Sequence, residues 1–142
     1  MKILFDTNVL LDVLLDREPF SAPAAALLSK SETGELSGYA CATTITTLSY
    51  LCRKVVGKAK AEQLIRTLLS ILDVASVNRR VIEKALQANF GDFEDAVLNE
   101  AALLVSPDAI VTRNKKDFSH STLSIYTPGA LIRLLESQAL PE

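Results

Sequence analysis

The chain opens with Lys2-Ile3-Leu4-Phe5-Asp6-Thr7-Asn8, in which a short apolar run ends at a carboxylate. This pattern predicts a buried strand that ends at Phe5, with a helix beginning shortly after it. In open parallel α/β sheets, active sites gather outside the carboxyl ends of the strands. Asp6 is therefore a candidate for chemistry, although Asp and Thr at this position can equally serve as helix N-caps.

Length and composition indicate one globular domain of 142 residues, of which 49% are hydrophobic. A chain of this length can bury a substantial core. The formal net charge of −2 argues against a protein that coats nucleic acid through bulk charge, but it permits a nuclease with a local basic rim. Cys41 and Cys52 are interpreted as small buried hydrophobes, and one histidine is too few for most zinc sites.

The N-terminal segment resembles a secretory signal only in part. Lys2 precedes many leucines, but Asp6, Asp12 and Asp16 interrupt the apolar run, and no small-residue cleavage site follows. No stretch of the sequence approaches the length of a membrane span. We therefore expect a cytoplasmic protein with no membrane partner.

Hydrophobic periodicity predicts short strands that alternate with helices. Strands are expected at residues 2–5, 38–41, 74–77, 109–112 and 124–126. Helices are expected at residues 9–15, 21 towards 34, 43–54 and 58–72, and in segments that begin at residues 78, 92 and 128. Strands separated by helices imply a parallel sheet covered on its faces. The predicted fold class is α/β, a single three-layer α/β/α domain over residues 1–142 with a mostly parallel sheet.

Further acidic and polar residues occupy comparable positions later in the chain. They are Asp92, Asp95, Thr112, Asn114 and Asp117. Each has a structural explanation of its own, because Asp92 with Asp95 is similar to a capping box and residues 114–117 could form a turn. Glu94 and Asp12 are expected to be solvated.

Taken together, these positions favour a cation site. Asp6 and the segment from Thr112 to Asn114 both follow predicted strands, so both lie at the same edge of a parallel sheet. Asp95 lies one turn into the helix that precedes the second of these strands. Carboxylates gathered at one edge repel each other unless a cation joins them. Oxygen ligands without Cys or His suit a hard divalent ion, Mg²⁺ or Mn²⁺.

In order and spacing, three segments resemble the PIN-domain family, the compact α/β metal-dependent nucleases that include VapC-type toxins. The resemblance extends over nearly the whole chain. The segments are Asp6-Thr7-Asn8-Val9-Leu10-Leu11-Asp12, Asp92-Phe93-Glu94-Asp95-Ala96 and Thr112-Arg113-Asn114-Lys115-Lys116-Asp117-Phe118.

The resemblance implies a role for each matching position. Asp6, Asp95 and Asp117 are similar to the family's catalytic, metal-binding acids, and Asp92 is a neighbour that shares metal binding. Three further residues match supporting polar groups, with the first orienting Asp6 and the others positioning a carboxylate or a metal-bound water. These are Asn8, Thr112 and Asn114.

The resemblance implies a Mg²⁺- or Mn²⁺-dependent endoribonuclease that hydrolyses RNA phosphodiester bonds, as the toxin component of a type II toxin–antitoxin system. It also implies a homodimer and a small antitoxin partner. Arg113, Lys115 and Lys116 lie in the loop beside the predicted metal edge, where they could hold RNA phosphates. His120 follows this loop and is interpreted as a surface residue rather than a general base.

The chain departs from the family pattern at one position. Many nucleases of this family carry a Glu on the helix after the second strand, and here the helix from Thr43 to Lys54 contains no acidic residue. The expected position falls at or near Thr47. A catalytically impaired PIN-like domain that binds RNA or protein is therefore the alternative function. An aspartyl-phosphate phosphatase is less suitable, because it usually needs a second Asp where this chain has Asn8.

Overall fold

The computed structural model describes residues 1–139, and the last three residues of the predicted 1–142 domain lie outside the described part. Five strands alternate with helices in the described chain. The strands are β1 (Lys2–Phe5), β2 (Ser37–Cys41), β3 (Asp73–Ala75), β4 (Ala109–Val111) and β5 (Ser124–Tyr126). The helices are α1 (Thr7–Leu14), α2 (Ser21–Glu32), α3 (Ala42–Val56), α4 (Lys58–Ile71), α5 (Arg79–Gln87), α6 (Phe93–Val105) and α7 (Pro128–Ala139), with a 3₁₀ helix at Lys115–Phe118.

The five strands form one parallel sheet in the order β3-β2-β1-β4-β5. β1 lies in the centre, and its last residue, Phe5, pairs with Ala40 of β2 and Val111 of β4. The carboxyl ends of β1 and β4 therefore meet, and the backbone N–H of Asp6 donates to the carbonyl of Val111 at 2.9 Å. Residues that directly follow these two strands are neighbours in space, as the sequence predicted.

Helices cover both faces of the sheet, which confirms the three-layer α/β/α prediction. Side chains alternate between the faces along each strand. Ile3 and Phe5 belong to one hydrophobic cluster, which includes residues of α1, α2, α3, α4 and α7. Leu4 and Ile110 belong to the other cluster, which is built with α5 and α6. The carboxyl edge of the sheet, where Asp6 lies, is thus held between two hydrophobic clusters.

The helical interpretation of the threonine-rich segment is confirmed, since α3 spans Ala42–Val56. Leu48 and Cys52, one turn apart, are fully buried on its inner face. The burial of this face outweighs the strand preference of β-branched residues. Thr47 lies on the partly exposed side of the helix.

Several element boundaries differ from the prediction by one or two residues, and two of them lie beside the candidate site. α1 begins at Thr7 rather than at residue 9, because the carboxylate of Asp6 caps it by accepting from the Thr7 N–H. β4 ends at Val111, so that Thr112 already belongs to the loop after the strand. Cys41 and Cys52 are both buried free thiols. Across residues 1–139, no helix combines the length and the apolar character needed to cross a membrane.

Candidate metal centre

Asp6 lies at the carboxyl end of β1 and is only 5% exposed. One of its oxygens, Oδ1, accepts from the backbone N–H of Thr7 at 2.8 Å. The other, Oδ2, accepts from the hydroxyl of Thr112 at 2.7 Å. Asp6 is therefore both a helix cap and a carboxylate fixed in orientation between α1 and the end of β4.

Thr112 connects Asp6 to the loop that follows β4. Its side chain is fully buried, and its Oγ1 also accepts from the backbone N–H of Asn114 at 3.1 Å. The carbonyl of Asn114 in turn accepts from the backbone N–H of Asp117 at 3.0 Å, at the start of the 3₁₀ helix. A chain of hydrogen bonds thus links the buried carboxylate of Asp6 to the loop that carries Asp117.

The N-terminus of α6 brings two more carboxylates to the same edge. Asp92 caps the helix, with its Oδ1 accepting from the backbone N–H of Asp95 at 3.0 Å. Asp92 is exposed, whereas Asp95 is partly buried. Together with Asp117, they border a cleft of about 390 Å³. The cleft is lined by Gly91, Asp92, Asp95, Lys116, Asp117, Ser119 and His120.

Two of these carboxylates have raised pKa values, because they are buried and lie near other negative charges. Burial, and after it the charges of Asp6, Asp92, Asp117 and Glu94, together raise the pKa of Asp95 to about 7. Burial also raises the pKa of Asp6, against the opposing effect of its hydrogen bonds, and Glu94 and Asp117 add repulsion. The centre therefore holds negative charge under mutual repulsion.

The donor set fits a hard divalent cation that keeps part of its water shell. Within residues 1–139, no three His, Cys, Asp or Glu side chains already converge as a ready-made ligand group. Mg²⁺ does not need such a group, because it usually binds one or two carboxylates and retains several waters. Asp6 and Asp95 could supply those carboxylates, and a cation between them would relieve the repulsion that raises their pKa values.

Glu94 is solvent-exposed, as expected, but it also makes contacts that the sequence did not predict. Its Oε1 accepts from the hydroxyl of Thr47 at 3.3 Å and from the hydroxyl of Thr7 at 3.5 Å. Thr7 is itself held by a 2.8 Å hydrogen bond to the hydroxyl of Thr44. The Glu94 carboxylate therefore belongs to the acidic centre and reaches the position at which the family pattern leads one to expect an acid on α3.

The expectation that Asp12 is solvated is wrong, because it is 1% exposed. Its carboxylate accepts from Arg17 Nε at 2.9 Å and from Arg113 Nε at 2.7 Å. The guanidinium of Arg113 also lies 4.0 Å from the centre of the Phe20 ring. Buried charges require such partners, and these contacts make Arg113 an anchor of the loop after β4. Its role in holding RNA phosphate stays a prediction.

The remaining predicted residues lie around the centre. Within the described residues, no hydrogen bond joins the side chain of Asn8 to Asp6; the Oδ1 of Asn8 accepts from the backbone N–H of Arg113 at 3.5 Å, so it supports the loop. The side chain of Asn114 is exposed, as are those of Lys115 and Lys116, and Lys116 lines the acidic cleft. His120 is exposed as expected, although it too lines this cleft.

Fold and centre together define a compact parallel α/β protein with clustered carboxylates at the carboxyl edge of its sheet. Residues 2–116 match the family model described as PIN domain. The chain therefore belongs to the PIN-domain family. No curated protein is similar enough in sequence to count as a match.

Several solved structures share the fold. One is a DNA-bound VapBC from Salmonella typhimurium, with a TM-score of 0.69 and 15% identity, covering 90% of this chain and 98% of that one. A toxin–antitoxin complex from Klebsiella pneumoniae has a TM-score of 0.66 and 23% identity, covering 89% and 97%. VapC20 of Mycobacterium tuberculosis, described as a Sarcin-Ricin loop cleaving toxin, has a TM-score of 0.61 and 13% identity, covering 76% and 86%.

Proposed function

We propose that this protein is a divalent-metal-dependent endoribonuclease that hydrolyses RNA phosphodiester bonds with Mg²⁺ or Mn²⁺. The observation that carries the proposal is the group of carboxylates around Asp95, where burial and then the neighbouring negative charges raise the pKa of Asp95 to about 7. The group lies at the carboxyl edge of a parallel sheet, in a chain that belongs to the PIN-domain family.

The residues of the centre divide the work as follows. Asp6, held in orientation by Thr112, and Asp95 would hold the cation. Asp92 and Asp117, which border a cleft together with Asp95, would assist them. When bound, the cation makes a water more nucleophilic and stabilises the charge that develops on the phosphodiester.

Substrate binding is assigned to the exposed lysines of the loop after β4. Lys115 and Lys116 are both exposed, and Lys116 lies beside Asp117 in the cleft. Lysines at this position would hold backbone phosphates without reading the bases. Arg113 is left out of this set, since its guanidinium is bound by Asp12 and packed on Phe20.

A toxin role is supported by the proteins that share the fold. Two of the similar structures are described as VapBC or toxin–antitoxin complexes, and a third as a toxin that cleaves the Sarcin-Ricin loop. By extension, we propose that this chain is the toxin component of a type II toxin–antitoxin system in the cytoplasm. Its partners would be RNA, a small antitoxin and a second copy of the chain.

The alternative function is a PIN domain that binds RNA or protein without cleaving. The observation in its favour is that α3 carries no acidic residue, with Thr47 at the position where one is expected. Robust cleavage by the purified protein would eliminate this alternative.

The test is cleavage of an RNA panel with Mg²⁺, with Mn²⁺ and with EDTA. We expect cleavage that requires the metal and falls by at least about 100-fold in Asp6→Ala and Asp95→Asn, since loss of even an outer-shell partner costs 10- to 100-fold. Asp73→Asn is the matched control, because Asp73 is an exposed carboxylate at the opposite end of β3. Circular dichroism checks that each variant folds. Metal-independent cleavage, or full cleavage by both site variants, would contradict the proposal.

A further inference from the structure

Three helices meet at the carboxylate of Glu94. Glu94 is the second residue of α6, and its Oε1 accepts hydrogen bonds from Thr47 of α3 and Thr7 of α1. Both donors are neutral hydroxyls, so the contacts orient the carboxylate without cancelling its charge. Both bonds fall on one oxygen, which leaves Oε2 available for another ligand.

Glu94 lies next to the candidate metal ligands. It directly precedes Asp95 in α6, and its donor Thr7 directly follows Asp6, whose Oδ1 accepts from the backbone N–H of Thr7 at 2.8 Å. Among residues 1–139, none of the ion pairs includes Glu94. A cation bound beside Asp6 and Asp95 would therefore meet in Glu94 a carboxylate without a cationic partner.

A comparison with Asp12 shows that the fold can neutralise an acid where the acid is structural. Asp12 lies one helix turn beyond Asn8 in α1 and receives two arginines, Arg17 and Arg113. Glu94 accepts hydrogen bonds only from hydroxyl groups, on α1 and α3. A negative charge that only stabilises the N-terminus of α6 would need no contact with these two helices. The orientation of Glu94 across the helix ends is therefore unexplained by the stability of α6 alone.

We propose that Glu94 is a further carboxylate ligand of the cation site, held in place by Thr47 and Thr7. This inference rests on the proposed metal-dependent function. It also accounts for the lack of an acid on α3, because Glu94 brings a carboxylate from α6 to the hydroxyl of Thr47. A carboxylate from α6 thus lies beside the position on α3 where the family pattern has an acid.

The test compares Glu94→Gln with wild type by thermal unfolding of the RNA-free protein in EDTA and in Mn²⁺. Gln keeps an acceptor oxygen for both threonines and removes only the charge. We expect the variant to melt no lower than wild type in EDTA, because repulsion with Asp6 and Asp95 is relieved. In Mn²⁺ its gain in melting temperature should be smaller than that of wild type, with Mn²⁺ affinity about 10- to 100-fold weaker.

Glu100→Gln is the matched control, since Glu100 lies on the same helix and takes part in none of the contacts of the centre. It should behave as wild type in both solutions. Equal stabilisation of wild type and Glu94→Gln by Mn²⁺ would overturn the role of Glu94 while leaving the proposed nuclease intact. A fall in melting temperature of Glu94→Gln in EDTA, with an unchanged gain from Mn²⁺, would show a structural role instead. Absence of any Mn²⁺ effect on wild type would overturn both proposals.

Discussion

Asp6 and Asp12 are both carboxylates in the first part of the chain, and both are almost fully buried, at 5% and 1% exposure. Their bonding partners differ. Asp12 is bound by Arg17 and Arg113, whereas Asp6 receives only a backbone N–H and the hydroxyl of Thr112. Asp6 also faces the negative charges of Glu94 and Asp117.

The difference separates a structural acid from an acid prepared for a ligand. A buried carboxylate costs several kcal/mol unless it is paired. At Asp12 the protein provides the pair within its own chain, and this joins α1 to the loop after β4. Among residues 1–139, no Lys, Arg or His forms an ion pair with Asp6 or Asp95, and burial raises the pKa of both. Under the proposed function, a divalent cation from solution would be their partner.

The largest effect should come from breaking the pair at Asp12. Arg113→Met removes one of its two cations and leaves buried charge only partly compensated, so we expect a loss of about 3 kcal/mol in the free energy of unfolding. Urea denaturation measures this loss. Lys115→Met, which removes an exposed cation from the same loop, should change stability by less than about 0.5 kcal/mol. A loss below about 1 kcal/mol for Arg113→Met would remove the contrast between the two acids.

A smaller effect is expected when the hydrogen bond that orients Asp6 is removed. Thr112→Val preserves shape but deletes the donor to Asp6 Oδ2 and the acceptor of the Asn114 N–H. Hydrogen bonds to charged groups contribute about 1.5–3 kcal/mol, so we expect unfolding to become easier by about 2 kcal/mol in urea. Thr67→Val, at an exposed threonine of α4, serves as the control. Equal stability of the two variants would mean that Thr112 does not hold Asp6.

The smallest predicted effect is a change in the stability of the protein with pH, caused by the burial of Asp95 and the negative charges around it. The pKa of Asp95 is about 7 in the folded protein, against an ordinary value of 3.8, so the folded state binds more protons between these values. The stability of the metal-free protein therefore falls as pH rises from about 4 to about 7.

Asp95→Asn removes the ionisable carboxyl, and with it the loss of stability that occurs as pH rises from about 4 to about 7. In EDTA at pH 7.5, the variant should melt about 3 °C higher than wild type, a shift that corresponds to roughly 1 kcal/mol for a domain of this size. At pH 3 the difference should largely disappear, because Asp95 is then mostly protonated in both the folded and the unfolded state. Thermal unfolding across pH measures both values. A variant that melts lower than wild type at pH 7.5 would argue against repulsion at this position.

The layout of the sheet could be predicted because its signals are local. The apolar run before Asp6 and the buried face of α3 follow from periodicity within one element. The meeting of Asp6 and Thr112 also follows, since the carboxyl ends of adjacent parallel strands lie together. The edge of the sheet that carries the carboxylates could therefore be predicted from the sequence.

Two partners, Arg113 of Asp12 and Thr47 of Glu94, could not be predicted, because these contacts join distant segments of the chain. Arg113 is 101 residues from Asp12, and Thr47 is 47 residues from Glu94. No local pattern distinguishes a charged residue that finds such a partner from one that remains in solvent. Pairs of this kind are fixed by the packing of whole helices and not by the pattern within any one of them.

We propose that the carboxylates at the edge of the sheet form a cation site. Calorimetric titration of Mn²⁺ into the RNA-free protein at pH 7.5 tests it most directly. We predict saturable binding to wild type and to Asp73→Asn, and binding weakened by at least roughly tenfold in Asp95→Asn. Absence of saturable binding to wild type, or equal affinity in wild type and Asp95→Asn, would contradict the account.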